Sequence, residues 1–182
     1  VSTVSFNENI SANSVVATLS TSDPDAGDTF NYAFIAGTEA IDNSVFSIDG
    51  DQLKINESPN YEIQDAYSIR VQTEDSDGLT FEKAFTLSVN DLNEDPTNLL
   101  VSASSFDENI AADSVVTTLS STDEDSGDTF DYSLIAGEQD NDNFAFSMDG
   151  DQLKINTMPD YETKDSYSVR VQTEDSGGLT FA

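Results

Sequence analysis

Short clusters of carboxylates, set at the ends of strand-like segments, are the residues of this chain with chemistry to offer. They are Glu8 between Asn7 and Asn9, Glu62 after Asn60 and Tyr61, the run Asp91-Leu92-Asn93-Glu94-Asp95, the pair Asp123 and Asp125 around Glu124, and Asp175. Carboxylates, amide oxygens and backbone carbonyls are the donors of a hard cation, and Ca²⁺ gathers roughly 6–8 such oxygens. Neighbouring carboxylates repel one another unless a cation lies between them. The clusters recur. Residues 1–82 align with 101–182 at an offset of 100 without a gap, and 53 of the 82 positions are identical. The chain is therefore one module written twice, and metal sites built once per module are the chemistry this pattern suggests.

Composition narrows the function classes. Formal charge is −30 over 182 residues, with no His, Cys or Trp. Nucleic acid is excluded as a partner, because binding it needs a basic surface, and an anionic membrane surface is disfavoured for the same reason. So much negative charge opposes compaction, and a folded chain of this kind is expected to depend on cations. Disorder is opposed by the 36% hydrophobic content, which alternates in short runs. Without His or Cys the common nucleophile–base sites are missing. Paired carboxylates could serve a glycosidase, but here they are accounted for as ion ligands, so no enzyme is expected. No stretch approaches the ~18 apolar residues of a membrane span. The first residues carry no signal-peptide pattern, and the chain reads as an excerpt of a longer one.

The elements that must position these clusters are strands. Two-residue alternation runs through Val15-Ala17-Leu19, Phe30-Tyr32-Phe34, Phe46-Ile48, Leu53-Ile55, Tyr67-Ile69-Val71-Thr73 and Phe81, Phe85-Leu87-Val89. Asp49-Gly50 and Asp77-Gly78 are turn signals. With an initial strand near 1–6 the count is seven, which predicts an all-β fold of tandem Greek-key β-sandwiches. The expected division is 1–92, a linker at 93–97 stiffened by Pro96, and 98–182. As given, the second module stops short of its last strand, since nothing in 101–182 replaces Phe85, Leu87 and Val89; the continuation of a longer parent chain is expected to supply it, or else a strand from a neighbouring subunit. The acidic turns Asp49-Gly50-Asp51 and Asp140-Asn141-Asp142-Asn143 read as loop chemistry, with an extra ion at the latter as the alternative.

Taken in order, the five acidic motifs resemble the calcium motifs of cadherin repeats, and most of all those of bacterial cadherin-like repeats. The resemblance covers the whole chain. It implies Ca²⁺ at the junction, held by Glu8 and Glu62, by Asn93 and Glu94 with the carbonyls of Leu92 and Asp95, and by Asp123, Asp125 and Asp175. Asn60, Asp91 and Asp128 are secondary candidates. Two further half-sites are implied, one at Asp23, Asp25 and Asp75 and the other at Glu108, Asp160 and Glu162. The six carboxylates Glu8, Glu62, Glu94, Asp123, Asp125 and Asp175 balance three Ca²⁺ ions; the expected number is two or three. Asn60 departs from the family's Asp, which Asp160 keeps, and the absence of Trp removes tryptophan-docking strand exchange. The implied function is a calcium-dependent extracellular structural and adhesive repeat of a secreted or cell-surface protein. Its partners would be adjacent repeats, like modules on another chain, or surface polysaccharide. The alternative is a carbohydrate-binding module of a secreted polysaccharide-associated protein.

Overall fold

The computed structural model describes residues 1–182 apart from Thr3 and Ala26. The chain divides into two units, Val1–Leu92 and Asn93–Ala182. Both are built from strands, with two short 3₁₀ turns and no α-helix among the described residues. The expected all-β Greek-key sandwich is what forms.

Unit 1 contains β1 (Ser5–Asn7), β2 (Val15–Thr18), β3 (Asn31–Phe34), β4 (Phe46–Asp49), β5 (Gln52–Ile55), β6 (Ala66–Glu74) and β7 (Thr80–Asn90). They form two sheets, β1-β7-β6-β3 and β2-β5-β4. Alternation decides what faces inward: along β6, Tyr67, Ile69, Val71 and Thr73 are buried while the residues between them are not. β4 and β5 close through the two-residue loop Gly50-Asp51, with Gly50 at φ 63°, a conformation glycine adopts without steric cost. β7 lies antiparallel to β6 from Glu74–Thr80 to Ala66–Ser88 and parallel to β1. It drives Leu87 and Val89 into the core. Burying each such side chain contributes about 1.5–3 kcal/mol. At the centre, Phe6, Phe46 and Tyr67 pack with ring centroids 5.4–6.3 Å apart.

Unit 2 contains β8 (Asn98–Val101), β9 (Val115–Thr122), β10 (Asp131–Leu134), β11 (Phe146–Asp149), β12 (Gln152–Ile155), β13 (Val171–Glu174) and β14 (Thr180–Phe181), in sheets β10-β13-β14 and β11-β12-β9-β8. It repeats the aromatic trio as Phe106, Phe146 and Tyr167. β8 pairs with β9 and extends that strand to Thr122, whereas β2 ends at Thr18. β13 pairs with β10 on one side and with Thr180 and Phe181 of β14 on the other.

In each unit the loop around the 3₁₀ turn binds backbone amides at 68–70 or at 168–170. Asp42 accepts from the Ser68 amide at 2.6 Å and Asn43 from the Arg70 amide at 2.9 Å. In unit 2, Asp142 accepts from the Ser168 amide at 2.7 Å and pairs with Lys164 at 3.0 Å, while Asp140 accepts from the Gly137 amide. The 140–143 run is thus engaged in loop bonding. The Ser168 amide, then the Lys164 ammonium, hold the Asp142 carboxyl below the usual carboxylate range against the opposing effect of burial. A carboxyl depressed in the folded state stabilises fully above its unfolded value of about 3.9, and that contribution is lost as pH falls through the lower folded value. Asp142→Asn should therefore flatten the acid limb of the stability curve below about pH 5. Urea midpoints followed from pH 3 to 7 check this; parallel curves for the two proteins would show that Asp142 is not coupled to folding.

Candidate metal centres

In unit 1 the site is built around Glu8, which follows β1 and is only 1% exposed. One carboxylate oxygen accepts from the Tyr61 amide at 2.7 Å and the other from the Leu92 amide at 2.7 Å. A single side chain thus ties the end of β1 to the 59–62 loop and to the segment leaving β7. Glu62 and Asp91 join it, with one oxygen from each of the three within 4.8 Å of the others. Asn60 uses its side-chain oxygen to accept from the Ile63 amide at 2.8 Å, which caps the same loop.

In unit 2 the site lies between the turn after β9 and the turn after β13. Asp123, Asp125 and Asp128 each bring an oxygen within 4.8 Å of the others. Each aspartate is anchored through one oxygen. Asp123 accepts from the Asp125 amide at 3.1 Å, Asp125 from the Glu94 amide at 2.8 Å, and Asp128 from the Ser176 hydroxyl at 2.6 Å. The other oxygens of Asp123 and Asp128, both Oδ2, are buried with no hydrogen-bond donor. A buried carboxylate oxygen without a donor is costly.

Asp175 completes the wall. Its Oδ1 accepts from the Leu179 amide at 2.8 Å and its Oδ2 from the Asn93 side-chain amide at 3.0 Å. Burial works to raise its carboxyl, but Asn93 and the amides of Leu179, Gly178 and Gly177 outweigh it and hold it below the ordinary range.

Two carboxylate charges 4.8 Å apart repel by about 3 kcal/mol at an effective dielectric near 20. Three such pairs per cluster approach the whole stability of a domain, about 5–15 kcal/mol. Hard oxygens, a full negative charge and buried oxygens without donors are the donor set of a divalent cation such as Ca²⁺. The residues present fit it.

The remaining sequence candidates fall as follows. Asp95 is exposed and precedes the buried Pro96. Leu92 is 39% exposed, and its backbone amide is the group engaged with Glu8. Asp23 and Asp25 stand with Asp28, while Asp75 spends Oδ1 on the Asp77 and Leu79 amides. Glu108, Asp160 and Glu162 come together in unit 2 and are exposed. Asp128, a secondary candidate in the sequence, brings its carboxylate into the cluster. A Cβ at Gly177 would overlap the Asn93 side chain, so glycine makes the room in which Asn93 reaches Asp175. The one signal for Gly177 is its replacement of Asp77 within an otherwise copied turn.

No family model matches the chain. Its sequence is 29% identical over 169 residues to human protocadherin Fat 4 and 28% identical to the mouse protein, covering 89% of this chain and 3% of each relative. Among solved structures it is similar to human protocadherin-24 EC1-2, with a TM-score of 0.71 at 18% identity over 98% of this chain and 84% of that one. It is also similar to mouse cadherin-23 EC22-24, with a TM-score of 0.68 at 20% identity over 99% of this chain and 60% of that one. The fold is that of cadherin extracellular domains.

Gly177→Ala should displace Asn93 and lower calcium affinity by about tenfold to a hundredfold, the range seen when a group orienting a metal ligand is lost. Asp77→Gly, at the equivalent place in unit 1, should leave affinity unchanged. Calorimetric titration of both variants checks this; wild-type affinity in Gly177→Ala would remove Asn93 from the site.

Proposed function

We propose that this pair of cadherin-like repeats is a calcium-dependent structural and adhesive segment of an extracellular protein, in which Ca²⁺ bound at the linker stiffens the passage from one repeat to the next. The observation that carries this reading is the pair of buried oxygens without donors, Oδ2 of Asp123 and of Asp128, inside a cluster of three aspartates. A cation there would satisfy both and cancel the repulsion.

Chain connectivity supports placing the ions at the linker. The last residue of unit 1, Leu92, is bonded to Glu8, and the next residue, Asn93, is bonded to Asp175. Each unit therefore ties its acidic residues to a residue of the same linker. Glu8, Glu62 and Asp91 would serve from one side. Asn93, Glu94, Asp123, Asp125, Asp128 and Asp175 would serve from the other, with the carbonyls of Leu92 and Asp95 between. Bound calcium supplies charge neutralisation and a fixed coordination geometry. The chain's own part is to hold Asp123 and Asp128 by one oxygen each and present the other.

An extracellular setting suits this chemistry. Extracellular calcium modules bind at about 10⁻⁴–10⁻³ M, so millimolar calcium fills them and cytosolic levels do not. In this reading the chain is a structural module and not an enzyme, in keeping with its cadherin extracellular-domain fold. Its partners in this reading are neighbouring repeats and like modules on other chains.

Calcium should stabilise the chain beyond any effect of salt. Binding to the folded state alone contributes about 2.7 kcal/mol per site at a hundredfold excess over Kd. Thermal melts in EGTA, in calcium and in sodium chloride of matched ionic strength check this; equal midpoints in the last two would reduce the effect to screening. Asn60→Asp should tighten one unit 1 ion selectively, because it adds a charge beside Glu8 and Glu62. An unchanged isotherm would place residue 60 outside the coordination sphere.

A further inference from the structure

The three clustered aspartates of unit 2 are not held alike. Asp123 accepts from the Asp125 amide at 3.1 Å and Asp125 from the Glu94 amide at 2.8 Å. Both donors are backbone groups, in place once the loop has formed. Asp128 instead accepts from a side chain, the Ser176 hydroxyl, through Oδ1 at 2.6 Å. Its own turn bends at Gly127, φ 101°, and is closed by a long bond from its amide to the Asp125 carbonyl, 3.5 Å. Asp128 brings an oxygen within 4.8 Å of the other two aspartates, and its Oδ2 is buried without a donor.

A third carboxylate is repelled by the two beside it, so the bond from Ser176 acts against that force. A hydroxyl donating to a carboxylate at this distance makes a short, charge-assisted bond, roughly twice as strong as a neutral one. Ser176 is exposed and Asp128 half-buried, so the serine side chain fills no place in the core. The arrangement is written twice. In unit 1 the Ser76 hydroxyl donates to Asp28 at 2.6 Å, and Asp28 stands with Asp23 and Asp25. The next residue changes from Asp77 to Gly177 between the copies, while the serine and its aspartate stay the same.

We propose that Ser176 is a positioning residue for the cation site of unit 2: its hydroxyl takes one oxygen of Asp128 and so presents the other to the ion. The assignment rests on the calcium reading above and adds the group that decides whether Asp128 takes part. With the hydroxyl in place, Asp128 offers a full negative charge as a ligand. Without it, Asp128 turns toward solvent, which relieves the repulsion, and the ion is left with the remaining carboxylates of the site.

Calorimetric calcium titrations of the full chain test this, using Ser176→Ala, Ser176→Thr, Asp128→Asn and the Ser176→Ala, Asp128→Asn double variant. Ser176→Ala should weaken one site by about tenfold, the low end of the loss when a group orienting a metal ligand is removed. Ser176→Thr keeps the hydroxyl at an exposed position and should bind as the wild type does. In the Asp128→Asn background, Ser176→Ala should cost less than about twofold, because the two residues act as a coupled pair. Ser176→Ala should also lower the melting midpoint in calcium more than the midpoint in EGTA; a merely structural role would lower both equally. Wild-type affinity in Ser176→Ala, no recovery in Ser176→Thr, the full loss on top of Asp128→Asn, or equal falls in both midpoints would each overturn the proposal and leave the calcium reading standing. A wild-type chain that binds no calcium would remove that reading, and the proposal with it.

Discussion

Repulsion among carboxylates held a few ångströms apart is the constraint on which the rest of this structure turns. A formal charge of −30 spread over a surface would be a matter of solubility. Gathered into clusters of three with oxygens within 4.8 Å, it opposes the folded state by an amount comparable to a domain's entire stability. The protein does not relieve this with its own cations. The described ion pairs of Lys54, Arg70, Lys154 and Lys164 go to Asp49, Glu82, Asp149 and Asp142, all away from the two clusters beside the linker. In the proposed reading that relief comes from solution, as bound calcium.

The scaffold serves that constraint through half-used side chains. Asp123 and Asp128 each give one oxygen to a nearby amide or hydroxyl. That bond anchors the side chain and leaves the second oxygen buried without a donor. Glu8 works differently: both oxygens accept backbone amides, one in the 59–62 loop and one at Leu92. It is as much a joint of the sandwich as a candidate ligand. Neutralising it should loosen the exit of β7 even where no ion is bound.

Most of the fold was legible in the sequence, because period-two alternation and Asp-Gly turns act locally. β4, β5 and β6 lie on the apolar runs that announced them. Less legible were features set by contacts distant along the chain. β9 reaches Thr122 where β8, which begins 17 residues earlier in the chain, pairs beside it. Asp128 enters its cluster because Ser176, 48 residues away, holds its other oxygen. Gly177 reads as an ordinary turn residue until Asn93 is seen in the space its missing Cβ leaves. At the candidate centres the motif order pointed to the residues, but which oxygen is spent and which is offered depends on folded geometry.

The central claim is that a cation occupies the space the aspartates of unit 2 surround. It is tested most directly by a crystal structure grown in millimolar calcium, with anomalous scattering used to identify the ion. The account predicts calcium density about 2.3–2.6 Å from Oδ2 of Asp123 and from Oδ2 of Asp128. A map in which both oxygens face only ordered water at that calcium concentration would contradict it.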